Sequence, residues 1–159
     1  MRTSRQVIEE WYLRVSVTQR AHYLSADSFG RRKYWLGVPA VMLSTLVGTS
    51  VFAGLDKEPE FWVQIAIGLS SVAAALLMSL QTFLGYSERA EKHRLAGAKY
   101  GALGRELEEL LAGSDAPSQD RVTRTRERLD VLAIESPNNP QWIYYKAGAG
   151  SLEATGQPK

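Results

Sequence analysis

No cysteine occurs anywhere in these 159 residues, which excludes disulfides, a thiolate nucleophile and cysteine-rich zinc sites. Histidine is almost as scarce. His22 and His93 are the only two, far apart in sequence and without metal-ligand spacing. An excess of one charge is also missing: 19 Lys and Arg against 17 Asp and Glu leave a net charge of +2. No basic block marks a nucleic-acid footprint. There is no Walker loop, no GxGxxG and no HExxH. These absences point away from an enzyme, a bound cofactor, a metal centre or a nucleic-acid partner. The most informative shortage is local. Residues 34–55 and 61–87 contain no charged side chain at all.

Those two stretches read YWLGVPAVMLSTLVGTSVFAGL and FWVQIAIGLSSVAAALLMSLQTFLGYS. Each exceeds the ~20 apolar residues that a helix needs to cross ~30 Å of hydrocarbon. The intervening DKEPE leaves room only for a turn, so the two form an antiparallel hairpin. A buried pair in a soluble bundle of this length would carry a charged stripe somewhere. The first span begins after more than thirty charged, polar and aromatic residues, unlike a cleavable signal peptide. With no ionisable group inside either span, a proton relay or ion-coupled transporter is not expected. The slightly negative mean hydropathy averages these spans with highly charged flanks.

Basic flanking residues predict orientation. Arg31, Arg32 and Lys33 precede the first span, Arg89, Lys92 and Arg94 follow the second, and the turn holds only Lys57. Both termini are therefore expected in the cytoplasm. Trp35 and Phe61-Trp62 sit where interfacial aromatics belong. Within the first span Ala40, Ser44 and Gly48 recur every four positions, a helix-packing stripe. In the second, Gln64, Gly68, Ser71, Ala75, Ser79 and Thr82 make a stripe of small and weakly polar residues. It either packs against another helix or lines a water-filled path in an oligomer, where Gln81 would also be tolerable. Pro39 is tolerated in a membrane helix and tilts or kinks it.

Outside the spans, residues 4–29 read as an amphipathic helix with Ile8, Trp11, Tyr12, Val15, His22, Ala26 and Phe29 on one side. Gly30 interrupts the pattern. The mixed charge of the other face favours a bundle helix over one lying in the membrane interface. Beyond residue 87 no breaker is evident, and the second helix is expected to run on. His93, Ala96, Tyr100, Leu103, Leu107 and Leu110 alternate by three and four, the seam of a helix–helix contact. Gly97, Gly101 and Gly104 border it, and three helix glycines make sense where another backbone lies close. His93 has catalytic and pH-sensing readings, but a satisfied seam histidine is the preferred one. Residues 113–117 break the chain, with Asp115 or Ser118 as the next N-cap. Residues 118–135 form a further helix with Val122, Thr125, Leu129 and Leu132 on one side. SPNNP is a turn, the following Trp142, Ile143, Tyr144 and Tyr145 should dock on the bundle or the membrane interface, and a disordered tail is expected from residue 147.

The two spans with the junction at residues 81–100, carrying QTF and SERAEKHR and running on into KYGALGRELE, closely resemble the SLATT family, two-transmembrane effector domains of bacterial conflict systems. The likeness runs from about residue 21 to 111, and ESPNNPQWIYYKA resembles the close of such domains. The resemblance implies a membrane pore former that kills or arrests an infected cell; since one protomer has too few helices to enclose water, a homo-oligomer in the inner membrane is expected. It also implies a separate protein that makes or reads a nucleotide signal. It brings no catalytic residues.

The expected architecture is an all-α membrane protein, a two-helix transmembrane hairpin whose second helix extends into a cytosolic helical bundle. Its parts are an N-terminal helix (1–33), the hairpin (34–87), a cytosolic helical region (88–146) and the tail (147–159). The expected function is a pore-forming or membrane-disrupting effector in antiviral defence, with membrane lipids and further copies of itself as partners. The alternative is a non-conducting anchor or adaptor that recruits a signalling partner. A membrane-linked enzyme is a remote third.

Overall fold

The computed structural model describes residues 3–54, 60–113 and 117–154. They form five helices: α1 (Ser4–Ala53), α2 (Phe61–Leu84), α3 (Tyr86–Ala112), α4 (Gln119–Glu135) and α5 (Gln141–Ala154). No strand occurs among the described residues, so the all-α expectation holds. Most of the hairpin turn (residues 55–59) and the candidate cap Asp115 lie outside the described residues. The chain divides into two compact units, residues 29–88 and residues 1–28 with 89–159.

The 29–88 unit is the hairpin. α1 and α2 each contain a window long and apolar enough to cross a membrane, and only 6% of either window is buried within the protein. A core helix of a soluble protein would be mostly covered. These helices instead leave Trp35, Phe52, Trp62, Leu69 and Phe83 exposed. What they cover is a narrow mutual seam. On α2 the covered or half-covered positions include Ile67, Ser70, Ala74, Leu77, Gln81 and Leu84, and on α1 Leu36, Ala40, Leu43, Val47 and Ser50. Both sets alternate by three and four, the spacing that keeps one face toward a partner helix. Hydroxyls within the first span are satisfied locally: Ser44, Thr45 and Ser50 donate to the carbonyls of Ala40, Val41 and Leu46 at 2.7–2.9 Å. A hydroxyl bonded inside its own helix needs no water in hydrocarbon.

Three sequence expectations change. α1 continues through Gly30 rather than stopping there, because the helical hydrogen bonds on either side outweigh the ~1 kcal/mol a helix glycine costs. α2 does extend into a further helical segment, as expected, but with a break that the sequence reading did not place. Gly85 adopts φ 56°, ψ 33° and caps it, and α3 starts at the next residue. This is the left-handed cap that glycine adopts without a Cβ clash. α5 extends to Ala154, past the point where the sequence suggested the tail begins, and residues 155–159 lie outside the described residues.

The second unit is a helical bundle built on α1 and α3. The six seam positions His93, Ala96, Tyr100, Leu103, Leu107 and Leu110 are all buried, and Ile8 and Val15 join them with Leu132 of α4. Contacts between α1 and α3 run in opposite directions along the chain. Tyr23 meets Gly97, Gln19 meets Gly101 and Val15 meets Gly104. Tyr12 then donates to Glu108 at 2.6 Å, and Arg5 reaches the Leu111 carbonyl at 3.0 Å. The glycine edge is thus a close approach, and its partner is α1 of the same chain. This also places residues 4–28 as a bundle helix, since its apolar face is filled by α3. α4 returns along α3 through the Lys99–Glu135 and Arg128–Glu106 ion pairs. α5 docks Ile143 and Ala147 on Ala21, while its Trp142 and Tyr145 remain 55% and 68% exposed.

Candidate functional site

Two places carry polar groups that the apolar framework does not require. The first is the surface of α2. At about 100° per residue, the seam toward α1 occupies one side of this helix. Leu69, Val72, Leu76 and Leu80 occupy a second and are exposed. Gln64, Gly68, Ser71, Ala75, Ser79 and Thr82 occupy the third, roughly 120° round from the seam, and all six are exposed. The small polar stripe therefore does not face α1 of its own chain. A Cβ added at Gly68 would meet nothing within 4 Å, and Thr82 donates to the Met78 carbonyl at 3.1 Å. Gln81 lies elsewhere than the sequence suggested, in the seam, its amide 3.2–3.3 Å from where a Gly37 Cβ would stand.

The stripe read from the first span behaves differently from one position to the next. Ala40 is buried, Ser44 is exposed, and Gly48 is half-buried with open space where its Cβ would be. Of the basic residues, Lys33 donates to Ser87 at 3.2 Å and Arg32 stands 5.8 Å over the Phe29 ring. Arg31, Arg89, Lys92 and Arg94 are exposed.

The second place is the bundle interior. His22 and His93, unrelated by spacing in the sequence, meet there with their Nδ1 atoms 3.0 Å apart. They are 1% and 4% exposed. Tyr100 stacks on His22 with ring centroids 5.4 Å apart. Ser25 donates to Asn139 Oδ1 at 2.9 Å, and Asn139 is also a hydrogen-bond partner of His93. Burial, and then the neighbouring imidazole, push His22 down to about 4. Burial also lowers His93, against a smaller upward pull from Asn139. Burial raises the Tyr100 phenol. Both imidazoles are neutral at pH 7, one donating Nδ1–H and the other accepting. The signal for the pair was their placement on facing apolar sides at about equal distances from the hairpin turn. Asn139 gave no signal beyond being turn chemistry.

Among the described residues no three His, Asp or Glu stand close enough to hold a metal. Ser25 is bonded to Asn139 rather than to an imidazole. A groove of about 360 Å³ on the same unit is lined by Ala102, Leu103, Val131 and Leu132 together with Lys99, Glu127 and Arg128. Lys99 and Arg128 are already engaged by Glu135 and Glu106, so the groove offers no concentrated charge.

The family model described as SMODS and SLOG-associating 2TM effector domain family 4 matches residues 5–139. No curated protein and no solved structure matches the chain.

Proposed function

The chain belongs to the SMODS and SLOG-associating 2TM effector domain family, and on that premise we propose that it oligomerises into a membrane pore in a nucleotide-signalled antiviral defence system. The observation that carries this reading is the three-sided α2. One side is used by α1, one is apolar enough for lipid, and the third presents six small or weakly polar residues to neither. Two helices cannot enclose water, so a conducting path requires several copies with the third sides turned inward. Serine and glutamine substitute for a few waters around a passing ion. With no charged ring, selectivity is weak and governed by pore width.

The basic residues at both flanks support a bacterial inner-membrane hairpin with the bundle and both termini in the cytoplasm. There the bundle is accessible to a separate nucleotide-synthesising or nucleotide-sensing protein. An enzymatic role is disfavoured because the bundle's imidazoles and Ser25 are nearly or fully covered, so a substrate has no route to them.

A single-cysteine scan of α2 tests the pore, since the chain has no native cysteine. Positions 64, 68, 71, 75, 79 and 82 should react periodically with a membrane-impermeant thiol reagent in the activated protein. Labelling at 71 or 75 should change conductance. A flat, unreactive scan in demonstrably activated protein removes the pore and leaves the non-conducting anchor.

A further inference from the structure

The buried histidine pair has no role in crossing a membrane, yet it occupies the point where α1, α3 and residues 136–140 converge. Its chemistry is asymmetric toward acid. In the neutral pair one Nδ1–H meets one lone pair and both groups are satisfied. A first added proton places charge among side chains that are at most 7% exposed: His22, Ser25, His93 and Tyr100. A second leaves two N–H groups facing each other across 3.0 Å with no acceptor between them.

Among the described residues, no carboxylate is among the groups acting on either imidazole. α1 contributes Ser25, α3 contributes Tyr100, residues 136–140 contribute Asn139 and, against Tyr100, Ser136, and α5 contributes Tyr144, which acts on Tyr100. Glu135 at the end of α4 is engaged with Lys99.

We infer that the His22–His93 contact is a proton-released latch: at neutral pH it clamps α1 to α3 and residues 136–140, and protonation of the imidazoles opens the bundle. The direction follows from linkage. The closed bundle holds His22 near 4 and His93 below its ordinary value, whereas an opened bundle returns both to about 6.5. The opened state therefore takes up protons as pH falls from 6.5 toward 4. Stability is complete above 6.5 and is lost below it. Between pH 7.5 and 5.5, His22 alone shifts the opening equilibrium about tenfold. The latch operates whether the hairpin conducts or only anchors, so it stands apart from the pore proposal.

The test uses the full chain in lipid nanodiscs. Hydrogen exchange of amides 19–26 and 93–104, corrected for intrinsic pH dependence, should show opening rise about tenfold or more from pH 7.5 to 5.5. Imidazole NMR titration should place both histidines below the ordinary value. The double variant His22→Gln/His93→Gln should lose the pH dependence of opening. Should that variant fail to fold, His93→Gln alone should reduce the slope. Imidazoles titrating near 6.5, or opening that is equal at both pH values, overturns the latch. An unchanged pH slope in a folded variant does the same.

Discussion

Gly97, Gly101 and Gly104 form one edge of α3, but they are not equivalent. At Gly104 a Cβ would rest 3.6 Å from Val15 Cγ1, ordinary contact. At Gly97 it would stand 3.2–3.3 Å from three atoms of the Tyr23 ring, which must retreat. Replacing a helix glycine by alanine gains ~0.4–1 kcal/mol where the space permits. Gly104→Ala should therefore raise the unfolding midpoint of the full chain in micelles. Gly97→Ala should leave it nearly unchanged, because the ring's displacement cancels the gain. Gly101→Leu adds bulk where a Cβ alone already comes within 2.7 Å of Gln19 Nε2, and should cost ~1–3 kcal/mol by overpacking. A midpoint order other than Gly104→Ala, Gly97→Ala, Gly101→Leu from high to low would contradict this geometry.

Among the elements, the junction of α2 and α3 is set by one backbone conformation. Gly85, at φ 56°, is the residue with positive φ in the described chain, and an L side chain there costs ~1–2 kcal/mol. Gly85→Ala should lower hydrogen-exchange protection of amides 84–90 by about tenfold. Gly85→Asn should lower it less, since asparagine tolerates the left-handed region better. Equal protection in wild type and Gly85→Ala would mean the junction does not need that conformation. The α3–α4 contact rests on apolar burial rather than on charge. Lys99–Glu135 is half exposed on both sides, and such pairs contribute ~0–1 kcal/mol, whereas Leu103, Leu107 and Leu132 are nearly or fully buried.

For the molecule as a whole, the two units present different surfaces. The hairpin leaves its apolar sides uncovered, and the bundle buries its own around α1 and α3. The hairpin unit, residues 29–88, therefore carries the two helices long and apolar enough to cross a membrane. With Arg31, Arg32, Lys33, Arg89, Lys92 and Arg94 flanking the hairpin, a reporter fused after Lys159 should be cytoplasmic and one inserted at Lys57 external. Finding both reporters on one side of the membrane would rule out two spans.

The two apolar spans of the hairpin and the α3 seam were legible in the amino-acid sequence, because each depends on the pattern within a single helix. An uncharged run longer than the bilayer, or an alternation by three and four from His93 to Leu110, survives whatever the partner is. Only the tertiary structure decided which partner fills each face. It gave α1 to the glycine edge, drew Gln81 into the hairpin seam against Gly37, and turned the Gln64-to-Thr82 stripe away from its own hairpin. It also joined His22 to His93 across 71 residues, with Asn139 alongside. The physical reason is that a helix's period states which residues share a side. Which side meets which depends on the rotation and register of two helices together, and those are settled by packing between residues remote in the chain.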